Sequence, residues 1–225
     1  MNVFETPTNA FEWVYDKIMH GGISHRGTKA IIGYSMEILR PQHKVITTEW
    51  RKFNEDYAKK EWEWYLSGNT CADAMAEMAK IWKQCQDSEG NVNSNYGHHW
   101  FKPLYGGVNQ YDWLLAELKN DKDSRRAILS HYDYNELHKY SKDTPCNLAL
   151  QFVIVGHKLE VIIFCRSQDL VYGFCNDQYI WACLQAKIIK DLWPTYQLIP
   201  GRMVYQYGHI HIYPRHYNLS GEFKN

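Results

Sequence analysis

Cys146 follows Pro145 at the mouth of an apolar run, Leu148–Val155, that has strand composition. A cysteine held extended at such a point is open to a ligand and can serve as a nucleophile, although an unpaired cysteine is also a common small core residue. Cys165-Arg166-Ser167-Gln168-Asp169 closes a second apolar run. Its arginine and hydroxyl are suited to a phosphate, and the arginine would lower the pKa of a neighbouring thiol; alternatively Arg166 pairs with Asp169. A further pair, Arg125-Arg126, follows Asp123-Ser124. On a strand these two would point to opposite faces. His209 and His211 share one strand face, which leaves metal ligation, sugar-hydroxyl contacts and core packing open. No cysteine or carboxylate stands near them at ligand spacing, and no metal is expected.

The elements that must position these residues are legible from periodicity. Thr8-Asn9 ahead of Phe11, Val14 and Ile18 predicts a capped helix stopped by Gly21-Gly22. Lys29–Leu39 and Lys44–Thr48 read as strands joined by a turn at Pro41. Trp50, Phe53, Tyr57, Trp62 and Tyr65 recur at helical spacing and predict a helix over Glu49–Leu66. Asp73–Trp82 and Gln110–Leu118 read as two more helices. Asp87–Gly107, rich in Asn, Gly and Ser, reads as a long functional loop between them. In the second half, Arg126–His131, Leu148–Val155 and Leu159–Phe164 read as strands, with a hairpin at Gly156-His157. A helix over Asp177–Leu192 leads to Pro194, and Arg202–Tyr207 and His209–Tyr213 are late strands. Strand runs interrupted by long helices predict an α+β fold with a mixed or antiparallel sheet.

The chain has 225 residues, the size of a single domain spanning 1–225, with 45% apolar and 22% charged residues. Lys+Arg and Asp+Glu each total 25, and this zero balance argues against a nucleic-acid partner. No apolar run reaches the roughly 18 residues of a membrane span, and the N-terminus lacks a secretion signal. The six cysteines form no C-x-x-C pair, so reduced thiols and a cytoplasmic location are expected.

Taken together the motifs resemble one family. Pro145-Cys146, Gln151-Phe152, Arg166-Ser167-x-Asp169-x-x-x-Gly173 and His211-x-Tyr213-x-x-His216 resemble the thymidylate synthase pattern in order and spacing. Asp123-Ser124-Arg125-Arg126 resembles that family's partner-donated arginine pair. Glu61 ahead of Trp64-Tyr65-Leu66-x-Gly68 resembles its catalytic glutamate helix. Ile81-Trp82 and Tyr96-Gly97 resemble its folate-side tryptophan and active-site tyrosine. Within the family the chain is most similar to the bacteriophage deoxycytidylate hydroxymethylase branch, through Glu63-Trp64-Tyr65, Asn93-Ser94-Asn95-Tyr96-Gly97, Gln110-Tyr111-Asp112 and Gly173-Phe174-x-Asn176-Asp177. Thymidylate synthases carry a His after the nucleophile, where this chain has Asn147. They also carry an Asn four residues after the glycine, where this chain has Asp177.

The resemblance implies a large mixed sheet with flanking helices, forming a homodimer through sheet faces. It implies 5,10-methylenetetrahydrofolate as one-carbon donor and a pyrimidine deoxynucleoside monophosphate as substrate, located in the host cytoplasm if the gene is viral. Cys146 would add to C6, with Glu61 and Tyr96 moving protons. Arg166 and Ser167, with Arg125 and Arg126 of the other subunit and Arg26 ahead of Gly27-Thr28, would bind the phosphate. His211 and Tyr213 would hold the 3′-hydroxyl, and Trp82, Asp169 and Gly173 would face the folate. Asp177 bears directly on base choice. Uracil offers a donor at N3 and an acceptor at O4, whereas cytosine reverses both, and a protonated carboxyl matches cytosine. A one-residue shift would make Asn176 the reader and uracil the base. The last residue stands nine after His216, which implies that the family's longer C-terminal closing segment is missing. Reductive C5 methylation and a non-catalytic nucleotide- or RNA-binding role are the alternatives.

Overall fold

The first helix, α1 (Pro7–Gly21), begins one turn's worth of polar groups earlier than Thr8-Asn9. Thr6 is the cap: its hydroxyl oxygen accepts the Asn9 N–H at 3.3 Å. Pro7 occupies the first turn, where a missing N–H costs nothing. Phe11, Val14 and Ile18 are fully buried on one face, as their spacing requires. The computed structural model describes residues 1–103, 106–139, 142–193 and 195–222; Pro194 and the final residues 223–225 lie outside the described residues.

The helices pack on one mixed sheet. Its path runs β1 (Asn2–Phe4), β3 (Thr28–Ile38), β8 (Ile199–Ile212), β6 (Lys158–Cys165), β5 (Asn147–Val155) and β4 (Ile128–Ser130). Off this path, β2 (Ile23–His25) pairs with β3, and β7 (Gln168–Asp169) pairs with β8. The β1–β3, β6–β8 and β7–β8 pairs are parallel and the others antiparallel. Along β5 and β6 the side chains alternate: Leu150, Phe152, Ile154, Leu159, Val161 and Ile163 enter the core. The opposite face leaves Ile128 and Phe164 exposed.

Three strand expectations change. Lys44–Thr48 makes no strand, because α1 takes its polar groups: Thr47 N–H donates to Thr8 Oγ1 (3.1 Å) and the Thr48 hydroxyl donates to Glu12 Oε1 (2.8 Å). Arg202–Tyr207 and His209–Tyr213 are one continuous strand, β8. Gly208 marks a close approach and no turn, since a Cβ there would lie 2.9 Å from the Arg166 carbonyl oxygen. The Arg126–His131 strand shrinks to β4, which leaves Arg125 and Arg126 in the preceding loop.

The helical expectations divide similarly. Glu49–Leu66 breaks into a 3₁₀ turn, Glu49–Arg51, and α2 (Glu55–Ser67), because Lys52 is left-handed at φ 50° and the Asn54 side chain caps afresh. The aromatic period survives the break because Trp50 packs on Tyr15 at 4.8 Å between ring centroids. Asp73–Trp82 splits at an extended Ala79 into α3 (Asp73–Met78) and α4 (Ile81–Cys85). The Asp87–Gly107 loop contains a short helix, α5 (Tyr96–Phe101), whose cap is the Asn95 side chain accepting from His98 N–H. Next comes α6 (Gln110–Asn120). The last helix, α7 (Cys175–Leu192), starts from a π turn, Leu170–Phe174, and buries Ile180, Leu184 and Ile188. Among the described residues no helix is long and apolar enough to cross a membrane.

Candidate active site

Cys146 lies one residue before β5, where the register with β6 shifts between Asn147 and Ala149. A bulge of this kind re-aims side chains at a strand end. The next strand holds the same loop in place. Arg166 N–H donates to the Cys146 carbonyl (2.9 Å), and its guanidinium donates to the carbonyls of Pro145 (2.9 Å) and Thr144 (2.7 Å). One Nη stands 3.8 Å from Cys146 Sγ. The arginine thus clamps the Cys146 loop and does not pair with Asp169. Its charge does favour the thiolate, but burial outweighs it and pushes the half-buried thiol up to about 11.

Behind the cysteine lies a chain of buried polar groups. Asn147, with no exposed surface, donates from Nδ2 to Tyr96 Oη (3.1 Å) and to Asp177 Oδ2 (3.2 Å). Gln168 Nε2 donates to the same Asp177 oxygen at 2.9 Å. Gly173 makes room for this: a Cβ there would fall 2.5 Å from Gln168 Nε2 and push the amide off the carboxylate. Burial raises Asp177 to about 6 despite these two donors. Glu61 of α2 is buried and raised further, to about 8, by burial first and the Asp177 charge second. Tyr57, one turn earlier, donates to Glu61 Oε1 (3.0 Å) and accepts from Trp82 Nε1–H (2.8 Å). Tyr96, far above its usual pKa through burial, keeps its proton and can relay a proton without ionising.

A second group borders this centre on β7 and β8. Asp169 pairs in register with His211. Its Oδ1 accepts the Val171 N–H (2.9 Å), and its Oδ2 lies 3.9 Å from Arg215. The His211 ring stands 5.0 Å from the Tyr213 ring, and burial lowers His211 to about 4. Ser167 is half-buried beside Arg166. Arg26 is exposed at φ 46° in the turn between β2 and β3. Among the described residues no group of three or more His, Cys, Asp or Glu side chains is arranged to hold a metal.

The sequence-derived residues therefore fall into two sets. Cys146, Arg166, Tyr96, Asp177, Glu61 and Trp82 are joined by contacts or direct electrostatic influence, and Asp169, His211 and Tyr213 adjoin them. Arg125 and Arg126 stand apart by β4, with Arg126 held by Glu117 of α6 at 2.7 Å. Asn176 is half-buried, and its neighbour Asp177 is the residue that joins the buried chain. Sequence reasoning left Asn147, Gln168 and Tyr57 without roles. Gln168 lay inside a motif already singled out, Asn147 was visible only as a departure, and Tyr57 stands four residues before Glu61 on one helix face.

Comparisons with known proteins find similar chains. The thymidylate synthase family matches residues 11–222. The chain is 36% identical over 178 residues to deoxycytidylate 5-hydroxymethyltransferase of Enterobacteria phage T6, spanning 74% of this chain and 70% of the phage protein. The phage T4 protein of the same name gives the same identity and coverage. Thermostable thymidylate synthase A from Bacillus subtilis shares the fold, with a TM-score of 0.76 at 24% identity, over 96% of this chain and 83% of that one.

Proposed function

This chain belongs to the thymidylate synthase family, and we propose that it hydroxymethylates C5 of dCMP through a covalent Cys146 adduct, with 5,10-methylenetetrahydrofolate as one-carbon donor. The observation that carries the base assignment is Asp177, a buried carboxyl raised to about 6 and held by two amide donors through a single oxygen. Its other oxygen has capacity to spare. Once protonated, the carboxyl donates to cytosine N3 and accepts from the 4-amino group, a pattern that uracil does not match.

The remaining roles are carried over from the family resemblance. Cys146 adds to C6 of the ring; at about 11 the thiol is protonated at neutral pH, so its proton leaves as the bond forms. Glu61, neutral below about pH 8, supplies and retrieves protons at the ring, and Tyr96 relays the proton lost from C5. Water completes the reaction at the new exocyclic carbon, giving 5-hydroxymethyl-dCMP. Arg166 and Ser167 take the 5′-phosphate, joined by Arg26 and by Arg125 and Arg126 from a partner subunit. His211 and Tyr213 take the sugar 3′-hydroxyl. The exposed apolar residues Ile128 and Phe164 on the outer sheet face support a homodimer across that face.

The donor set also fits the folate. Asp169 retains acceptor capacity for the donor edge of a pterin, and Trp82 and Tyr213 offer flat surfaces. When bound, the folate supplies a one-carbon unit at the oxidation level of formaldehyde. One assay tests the whole reading: purified protein, methylenetetrahydrofolate and either dCMP or dUMP, with the nucleotide weighed and dihydrofolate followed by absorbance. The expected result is dCMP gaining CH₂O with no dihydrofolate. Gain of CH₂ with stoichiometric dihydrofolate would overturn hydroxymethylation, and turnover of dUMP alone would overturn the base assignment.

A further inference from the structure

Three histidines form a hydrogen-bonded line from the protein surface to the edge of the site. His25, exposed at the end of β2, places Nδ1 3.0 Å from Nε2 of His209. His209, half-buried on β8, places Nδ1 3.2 Å from Nδ1 of His211, which is 7% exposed. The rings are 5.1 and 5.0 Å apart. Sheet pairing enforces the line: His209 and His211 stand two apart on β8, opposite Ile32 and Ala30 of β3, and β3 carries β2 on its other edge.

Proton counting gives this line a definite property. Each nitrogen–nitrogen contact needs one proton. Three neutral imidazoles carry three protons, so two occupy the contacts and the third sits at one end, on Nε2 of either His25 or His211. A fourth proton fills both ends. Protonated His25 donates from Nδ1 to His209, which then donates from its own Nδ1 to His211. The outer nitrogen of His211 becomes N–H, a donor, although the charge stays on His25. Burial keeps it there by disfavouring the charged form of both His209 and His211.

We propose that His25 and His209 are positioning residues that set whether His211 donates to or accepts from the sugar 3′-hydroxyl, through a proton gained or lost at His25. The proposal rests on the reading above that His211 meets that hydroxyl. Asp169 stands in register with His211 from β7, while Lys29 of the β2–β3 hairpin turns its ammonium away to the Met19 carbonyl at 2.8 Å. Arg215 lies 3.9 Å from Asp169, with Tyr213 and Cys146 beyond the His211 end. Between about pH 5 and 8 histidine is the side chain that ordinarily changes state.

The test begins without substrate. In ¹⁵N-histidine NMR of the free protein, the His211 Nε2 signal should change from protonated to partly bare with the same midpoint as His25. His25→Ala, or His209→Asn in the middle of the line, should abolish that dependence. In kinetics, the ratio of wild-type to His25→Ala KM for dCMP should rise about three- to tenfold from acid to alkaline pH, the worth of one hydrogen bond, with kcat moving less. Taking the ratio at each pH cancels the titration of Asp177 and of the phosphate. A His211 tautomer indifferent to His25 would overturn the proposal, as would stoichiometric zinc uptake that displaces the shared protons. A working line in a protein that binds neither dCMP nor dUMP would support the relay and defeat the substrate reading.

Discussion

Asp177 makes nucleotide choice depend on pH in a way that can be worked out beforehand. The carboxyl titrates at about 6 in the free site. Glu61, held up to about 8, stays neutral through that step, so Asp177 titrates beside an uncharged neighbour and Glu61 later titrates against the Asp177 charge. Cytosine N3 needs a donor opposite it. Whether the proton ends on the carboxyl or on N3, binding dCMP takes one up above pH 6. At pH 7 about nine-tenths of the free sites are ionised, so dCMP binding should absorb about 0.9 proton. Its affinity should fall about tenfold per pH unit above 6, or about 3 kcal/mol by pH 8. The nucleotide phosphate titrates near pH 6 with the opposite sign, because its dianion suits the arginines better. dUMP carries the same phosphate and needs no such proton, so the ratio of the two dissociation constants isolates the base. Calorimetry in two buffers of different ionisation enthalpy gives both ratio and proton count. The ratio should be flat below pH 6 and steep above it, and in Asp177→Asn it should be flat throughout and shifted towards dUMP. A flat ratio in the wild type, with no proton taken up, would refute the reasoning.

Cys146→Ala should keep the fold and bind dCMP within a few-fold of wild type while losing turnover; retained turnover would remove this thiol from the mechanism. Cys146→Ala subunits exchanged with subunits carrying both Arg125→Gln and Arg126→Gln should recover about a quarter of wild-type activity. Half the dimers are then mixed, and one of their two sites is whole; verified exchange with no recovery would place the arginines in cis. Glu61→Gln should flatten the stability profile. The carboxyl is raised from 4.5 to about 8 in the folded chain, so its proton stabilises the fold at low pH, and that contribution drains as pH climbs between those values, by up to about 1.4 kcal/mol per unit. Urea midpoints measured above the Asp177 step, between about pH 6 and 8, should fall more steeply for wild type than for the variant, and parallel slopes would disprove the assignment.

The long amphipathic elements were legible because burial of one face imposes a period that no local choice can hide. Phe11, Val14 and Ile18 of α1 and the alternation along β5 and β6 are of that kind. Lys44–Thr48 misled because strand composition says only that a segment suits a half-buried surface. Its neighbour proved to be α1, whose Thr8 and Glu12 take the polar groups a strand would have paired. Gly208 misled for a related reason. A glycine between two apolar runs reads as a turn, yet here it admits the Arg166 backbone at close range, a demand made by a residue 42 positions away.

The same distinction separates the parts of the site. Cys146, Arg166 and Asp177 announce themselves by type and order, but their protonation does not follow from type. Arg166 commits two of its five donors to the carbonyls of Pro145 and Thr144, which shapes the loop and holds one Nη 3.8 Å from the sulfur. Its charge lowers the thiol's pKa, as the motif suggests, and desolvation by surrounding elements is the larger effect. Asp177 shows the balance running closer. Two amides, from Asn147 and Gln168, favour its charged form, and burial still holds it near 6. A carboxyl at that value can be ionised when the site is empty and protonated when cytosine arrives. With either amide removed, one donor fewer would oppose burial and the carboxyl would rise, so the pH above which base recognition weakens would move up. Asn147 and Gln168 thus belong to the specificity device as fully as the carboxyl they hold.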